Sequence, residues 1–224
     1  MDDIITTLRI CVERGKINAK SPHPIDLRGQ EGADELTKRA LEIGMLPQDI
    51  LMQGLVPAMQ TVGERFRDKR IFVPDMLMSA RAMLAGMEHL KPYYVSNAIV
   101  AQGTFVIGTV KGDLHDIGKK IVGMMITGAG WKVIDLGTDV PTDIFVKSLQ
   151  EHPDAVVGLS ALLTTTMNSM EETAKEIKRN HPLTKVIIGG APITHDFANK
   201  IGADAYAPDP QGAVDFLNSL GSKH

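Results

Sequence analysis

A single cysteine, Cys11, occurs in the 224 residues. No disulfide can therefore form within one chain, and thiolate zinc clusters and iron–sulfur clusters lack the sulfur they need. Nor is there a stripe of one charge. The 24 Lys and Arg stand against 27 Asp and Glu, mixed along the chain, for a net charge of -3. The basic footprint of a nucleic-acid binder is absent, and no nucleic-acid partner is expected. No apolar run approaches the ~20 residues that span a bilayer. The start, MDDIITTLRI, is acidic and lacks the basic-then-apolar order of a secretory signal. The chain reads as a cytoplasmic protein with no membrane partner. With 43 % hydrophobic residues it can bury a core of one large domain or two small ones.

Strand signals are also nearly missing from residues 1–92. Apolar residues recur there at three- and four-residue steps. Ile4, Leu8 and Cys11 mark a first helix, and Leu36, Ala40 and Ile43 a shorter second one. Leu51, Leu55, Met59, Val62 and Phe66 mark a third, and the series from Met76 through Leu77, Ala80, Met83, Leu84 and Met87 to Leu90 a fourth. The polar stretch from Ser21 to Gln30 reads as a connection. Four helices with short links predict a small bundle. Residues 93–103 carry no period and are expected to be a linker.

From Thr104 onward, short apolar runs alternate with helical stretches. Strands are predicted at 105–110, 131–135, 155–159, 185–189 and 205–207. Helices are predicted at 117–129, 141–150, 167–180 and 193–201, with a last one opened by Asp209 and Pro210. Continuous apolar strands alternating with helices imply a parallel sheet covered on both faces. The expectation is a flavodoxin-like or Rossmann-like, doubly wound, five-stranded α/β domain over residues 104–224. Ligands of such folds bind at the carboxyl ends of the strands.

Three loops fall at those ends. The first strand is followed by Lys111-Gly112-Asp113-Leu114-His115-Asp116-Ile117-Gly118. A histidine can ligate a metal through one ring nitrogen while the other N–H donates to a carboxylate, and Asp113 is spaced for that. Alone, Asp-x-His also fits a plain surface loop. Neither the glycine triplet of a dinucleotide site nor the Gly-Lys-Ser/Thr of a phosphate loop follows the strand. The third strand leads into Ser160-Ala161-Leu162-Leu163-Thr164-Thr165-Thr166, where Thr165 or Thr166 is equally an N-cap for the next helix. The fourth leads into Gly189-Gly190, which either makes a turn or leaves room for a ligand against the backbone.

Taken together, Asp113-x-His115-x-x-Gly118, Ser160-x-Leu162 and Gly189-Gly190 resemble the signature of cobalamin-binding modules. This family includes the cobalamin-binding region of cobalamin-dependent methionine synthase and the corrinoid proteins of methyltransferase systems. Gly63-Glu64-Arg65-Phe66, Phe72-Val73-Pro74-Asp75 and Ser79-Ala80-Arg81-Ala82-Met83 resemble the helical cap that precedes the module in methyl-transferring members. The resemblance implies cobalamin (methylcobalamin or a related corrinoid), with His115 as the lower ligand of cobalt in place of the cofactor's own base. Asp113 would accept the other imidazole N–H, and Thr166 would stand where the family's relay carries serine. The nucleotide tail would lie beside Ser160, Leu162, Gly189 and Gly190. Asp116, Ile117, Gly118 and Thr164 complete the expected contacts, and Phe66 and Val73 would cover the methyl-bearing face, unless they are ordinary bundle core. Of the remaining histidines, His23, His89, His152, His181 and His224 read as solvated or structural, whereas His195 follows the Gly189-Gly190 loop.

The function implied is a methyl carrier cycling between Co(I) and methyl-Co(III). Its partners would be a methyl-donor methyltransferase, an acceptor methyltransferase using tetrahydrofolate or a thiol, and a reductive activase. Methanol, methylamine and O-demethylase systems all use such carriers, and the cap leans toward O-demethylation. A donor-activating barrel alone takes ~250 residues, so the chain reads as a component rather than a complete enzyme. The alternatives are the cobalamin subunit of an adenosylcobalamin mutase, a cobalamin-dependent regulator, and a flavodoxin-like domain without a corrinoid.

Overall fold

The computed structural model describes residues 2–96 and 98–221. The reading of His224, and Asn97 within the expected linker, lie outside the described residues. Two compact units are present. One runs to Ala101 and takes in Gly128–Gly130, and the other begins at Gln102 and holds the rest.

The first unit is helical. α1 (Asp2–Glu13) buries Ile4, Ile5, Leu8, Cys11 and Val12. α2 (Ala33–Glu42) starts where the Glu35 carboxylate accepts the N–H groups of Gly32 and Ala19, each at 2.9 Å. Leu36 and Ala40 face the core as their spacing predicts, but Ile43 does not. It stands past the last helical residue and is largely exposed. α3 (Pro47–Asp49) runs through a π-helical turn, Ile50–Leu55, into α4 (Val56–Arg67). The Val56 N–H reaches back five residues to the Leu51 carbonyl. Gly54 sits in this turn because α1 crosses it closely: a Cβ there would lie 3.0 Å from Leu8 Cδ2. α5 (Val73–Val95) is opened by Asp75, whose Oδ2 accepts the Phe72 N–H at 2.9 Å. It buries Met76, Ala80, Met83, Met87 and Leu90, and runs three residues past the boundary read at residue 92. His89 of α5 meets Asp34 of α2 at 2.6 Å.

The second unit alternates strand and helix: β1 (Thr104–Thr109), α6 (Ile117–Gly128), β2 (Lys132–Asp135), α7 (Thr142–Glu151), β3 (Val156–Ser160), α8 (Met167–Asn180), β4 (Val186–Gly189), α9 (His195–Ile201), β5 (Ala205–Tyr206) and α10 (Pro210–Gly221). All four strand pairings are parallel and the order is β2-β1-β3-β4-β5. Side chains alternate across the sheet. Val106, Val157, Leu159, Val186 and Ile188 join one core with Phe145, Leu149, Met170, Ala174 and Ile177 of α7 and α8. Phe105, Ile107, Val156 and Ile187 point to the opposite face and are buried too. Burial on both faces explains the unbroken apolar strands. The Asp209 carboxylate accepts the Gly212 N–H at 2.8 Å, as its capping position requires. Among the described residues no helix is long and apolar enough to cross a membrane.

Candidate functional site

Because every strand runs the same way, all the strand-end loops gather at one edge of the sheet. The order reverses between β1 and β3, the place where such sheets open a crevice. Thr109, Ser160 and Gly189 stand in register across β1, β3 and β4. The three loops singled out in the sequence begin immediately beyond them.

Asp113 is the hub. Its side chain is wholly buried and accepts five hydrogen bonds. Oδ1 takes the His115 amide at 3.1 Å and His115 Nδ1 at 2.7 Å. Oδ2 takes the amides of Leu162 at 2.7 Å and Leu163 at 3.2 Å, and the Thr166 hydroxyl at 2.8 Å. Burial alone would raise this carboxyl's pKa. The amides of Leu162 and His115, then the His115 ring and Thr166, outweigh it and hold the group far below the usual carboxylate range. An ionised Asp113 only accepts, so Nδ1 of His115 carries the proton. Nε2 is the ring nitrogen that Asp113 leaves unengaged, on a ring whose side chain is 51 % exposed. The Thr109 hydroxyl holds the His115 carbonyl at 2.8 Å and secures the loop from beneath.

Thr166 stands at the N-cap position of α8 but does not cap it. Its hydroxyl turns to Asp113 and to the Leu163 carbonyl, both at 2.8 Å. One proton thus faces two acceptors. Ser160 belongs to the same edge, and its carbonyl accepts the Val110 N–H at 3.0 Å. The glycine pair has a backbone reason. Gly190 holds φ +133°, and a Cβ there would fall 1.8 Å from the Ala161 carbonyl oxygen. The β3 and β4 loops therefore pack against each other, with the Ala161 N–H on the Gly189 carbonyl at 3.2 Å. Thr164 is exposed at the start of the turn leading to α8. Asp116 pairs with Lys120 on α6, and Gly118 faces open space. His195 meets Tyr206 edge-on, ring centroids 4.9 Å apart, at the β4–β5 end of the edge.

Phe66 and Val73 lie in the helical unit. Phe66 is half-buried near the end of α4, and Val73 opens α5 with 39 % exposure beside Phe72, which is 68 % exposed. None of the three belongs to the buried bundle core.

Two exposed apolar residues at the sheet edge, Leu114 and Leu163, were not among the expected contacts, whereas their neighbours Ile117 and Leu162 were. Leu114 and Ile117, beside His115, are 73 % and 72 % exposed, and Leu162 and Leu163 are also open to solvent. Apolar side chains set among Asp113, His115 and Asp116 are the signal that finds Leu114. Large exposed apolar residues around one polar group mark a binding surface. Asp139, at φ +54°, is a further omission, and no sequence pattern points to it.

These features fit a corrinoid. Among the described residues no three His, Cys, Asp or Glu side chains gather to hold a metal ion. A metal at Nε2 of His115 would bring its remaining ligands with it, as cobalt held in a macrocycle does. The apolar residues around His115 suit the underside of such a ring.

Comparison with known proteins agrees. A B12 binding domain family matches residues 103–215, and a second B12 binding domain family matches residues 29–91. The chain is 40 % identical to trimethylamine corrinoid protein 1 of Methanosarcina acetivorans over 92 % of this chain and 95 % of that one. It is 39 % identical to a corrinoid protein of Desulfitobacterium hafniense, over 83 % and 88 % of the respective chains. Among solved structures, the methanol:cobalamin methyltransferase complex MtaBC from Methanosarcina barkeri superposes with a TM-score of 0.82 at 28 % identity, over 100 % of this chain and 81 % of that one. A cobalamin-binding protein from Desulfitobacterium hafniense gives 0.74 at 29 % identity, over 98 % of both chains.

Proposed function

The chain belongs to the corrinoid proteins of methyltransferase systems and binds a corrinoid, and from that premise we propose that it is the methyl-carrying subunit of such a system. When bound, the cobalt supplies a reduced metal nucleophilic enough to take a methyl group and give it up again. Everything else falls to the protein.

The observation that carries this reading is the Asp113–His115 contact at 2.7 Å. It fixes the tautomer that presents a lone pair at Nε2, and a carboxylate partner raises the basicity of a ligating imidazole. Asp113, its carboxylate held by five hydrogen bonds, would keep the His115 ring oriented so that Nε2 can hold the cobalt and give it up. Thr166 steadies the carboxylate, and its second acceptor, the Leu163 carbonyl, gives the hydroxyl somewhere to turn if Asp113 is ever protonated. Leu114, Ile117, Leu162 and Leu163 would line the lower face of the ring. The nucleotide tail would follow Ser160, Gly189 and Gly190, with Asp116, Gly118 and Thr164 beside it. Residues 1–92 would serve as a cap, joined through 93–103, with Phe66, Phe72 and Val73 shielding the upper face.

The partners proposed are a donor methyltransferase, an acceptor methyltransferase acting on tetrahydrofolate or a thiol, and a reductive activase. MtaBC is a methyltransferase complex, which supports the first. The trimethylamine and dimethylamine corrinoid proteins, about 40 % identical, move the proposed donor toward an N-methylamine and away from the aryl methyl ethers favoured by the cap's resemblance.

The test is an anaerobic absorbance spectrum of the purified protein after reconstitution with methylcobalamin. Wild type should retain the corrinoid with a nitrogen lower ligand, and His115→Ala should lose that ligation. A wild-type protein that retains no corrinoid would overturn the assignment.

A further inference from the structure

Asp139 is one of two non-glycine residues with positive φ among those described, at +54°. Aspartate tolerates this region better than most residues, but glycine would occupy it without strain. The side chain has a use that glycine lacks. Asp139 Oδ1 accepts the Gly112 N–H at 2.7 Å, while the Asp139 N–H donates to the Asp113 carbonyl at 2.9 Å. One residue thus clamps both ends of the Gly112–Asp113 dipeptide, at the Gly112 N–H and the Asp113 carbonyl. Gly112 is itself held at φ +85°.

The clamp comes from a different element than the bonds to the carboxylate. The β3–α8 loop grips the Asp113 side chain through Leu162, Leu163 and Thr166. The turn after β2 grips the Asp113 backbone through Asp139. That turn is tied to the sheet on either side of Asp139, by the Thr109 N–H on the Gly137 carbonyl at 3.0 Å and by the Val140 N–H on the Thr109 carbonyl at 2.9 Å. Asp113 is suspended between two loops, and a small shift of its backbone would open the 2.7 Å contact with His115 Nδ1.

We propose that Asp139 is a positioning residue: by fixing the Gly112–Asp113 backbone it keeps Asp113 on His115 Nδ1, and so holds His115 in the tautomer that offers Nε2 to the corrinoid. The inference rests on the corrinoid reading for its consequence, but its geometry belongs to the protein alone. Three substitutions separate the contributions. Asp139→Asn keeps an acceptor oxygen and tolerance of positive φ. Asp139→Gly keeps the backbone and loses the acceptor. Asp139→Ala loses both.

The experiment has two readouts. Ring ¹⁵N shifts of His115 in the corrinoid-free protein report which nitrogen is protonated. The visible spectrum after reconstitution with methylcobalamin, at one fixed pH, reports the fraction with nitrogen ligation. Wild type and Asp139→Asn should show protonated Nδ1 and full ligation. Asp139→Gly and Asp139→Ala should show mixed tautomers and at least a several-fold rise in the unligated fraction, with circular dichroism of the glycine variant unchanged. Retention of the wild-type tautomer and spectrum in the glycine and alanine variants would overturn the inference. Failure of wild type to take up methylcobalamin would count against the corrinoid reading, and the tautomer measurement would still decide the role of Asp139.

Discussion

At the scale of single residues, the site is a problem of one buried carboxylate. A group like Asp113 is costly to bury unless its oxygens are filled, and here five donors fill them. Its depressed pKa makes it a pH-dependent source of stability, and the sign follows from linkage. Asp113 is ionised more readily folded than unfolded. Its contribution is complete above the ordinary aspartate value of about 4 and is lost as pH falls through the much lower folded value. Asp113→Ala should therefore destabilise the corrinoid-free protein by at least about 2 kcal/mol at neutral pH. Urea unfolding from pH 7 to pH 3 should show a constant gap between the two proteins down to about pH 5, then a narrowing one. A gap that persists unchanged at pH 3 would mean that the five bonds contribute nothing through charge. This scale was also where the sequence was most and least legible. Asp113 and His115 stood out by their spacing at a strand end, which alone also fits a surface loop, and it was the resemblance to cobalamin-binding modules that gave them and Thr166 their expected roles. The cap reading of Thr166 fitted its position equally well, and only the direction of its hydroxyl separates the two. Leu114 was passed over although an apolar residue among Asp113, His115 and Asp116 marks it, and Asp139 was missed because a backbone angle leaves no mark in a string of letters.

Among the elements, helices and strands of the second unit were read to within one or two residues. Their apolar runs are short, distinct in period and bounded by turn residues. The first unit was harder. The π-helical turn at Ile50–Leu55 inserts a residue into the repeat, and Ile43 keeps the helical spacing of α2 while lying outside the helix. Periodicity says which residues share a face, not whether the helix still exists there. The packing of loop on loop was legible only as glycine. Gly189-Gly190 offered a turn or room for a ligand, and the structure adds a third reason for Gly190, the close Ala161 carbonyl and its own φ of +133°. Gly190→Ala combines a backbone clash with a disfavoured φ and should cost about 3 kcal/mol or more. Thermal or urea unfolding of the corrinoid-free variant checks this. A loss under about 1 kcal/mol would show that the β3 and β4 loops separate easily.

For the whole molecule, composition supplies two probes that fall in different units. Cys11, the only cysteine, is buried in α1, and Trp131, the only tryptophan, is buried immediately before β2 in the sheet unit. Each unit has its own buried core, so each can lose structure on its own terms. In a urea titration of the corrinoid-free chain, saturating pulses of an alkylating agent at Cys11 should report the helical unit, and Trp131 emission the sheet unit. Two different midpoints are expected. Coincident curves would show that the chain unfolds as one cooperative body. The pH dependence should separate the probes further. Burial raises the Cys11 thiol to about 11, and Lys16 nearby only partly offsets it. A raised folded pKa gives stability that is whole below the ordinary thiol value and is lost as pH rises toward the folded one. Moving from pH 8 to pH 10.5 should therefore lower the Cys11 midpoint through this thiol, and Cys11→Ala, followed by helical circular dichroism, should remove that part of the decline. The contribution made by Cys11 should leave the Trp131 midpoint unchanged, since the group that titrates belongs to the other core.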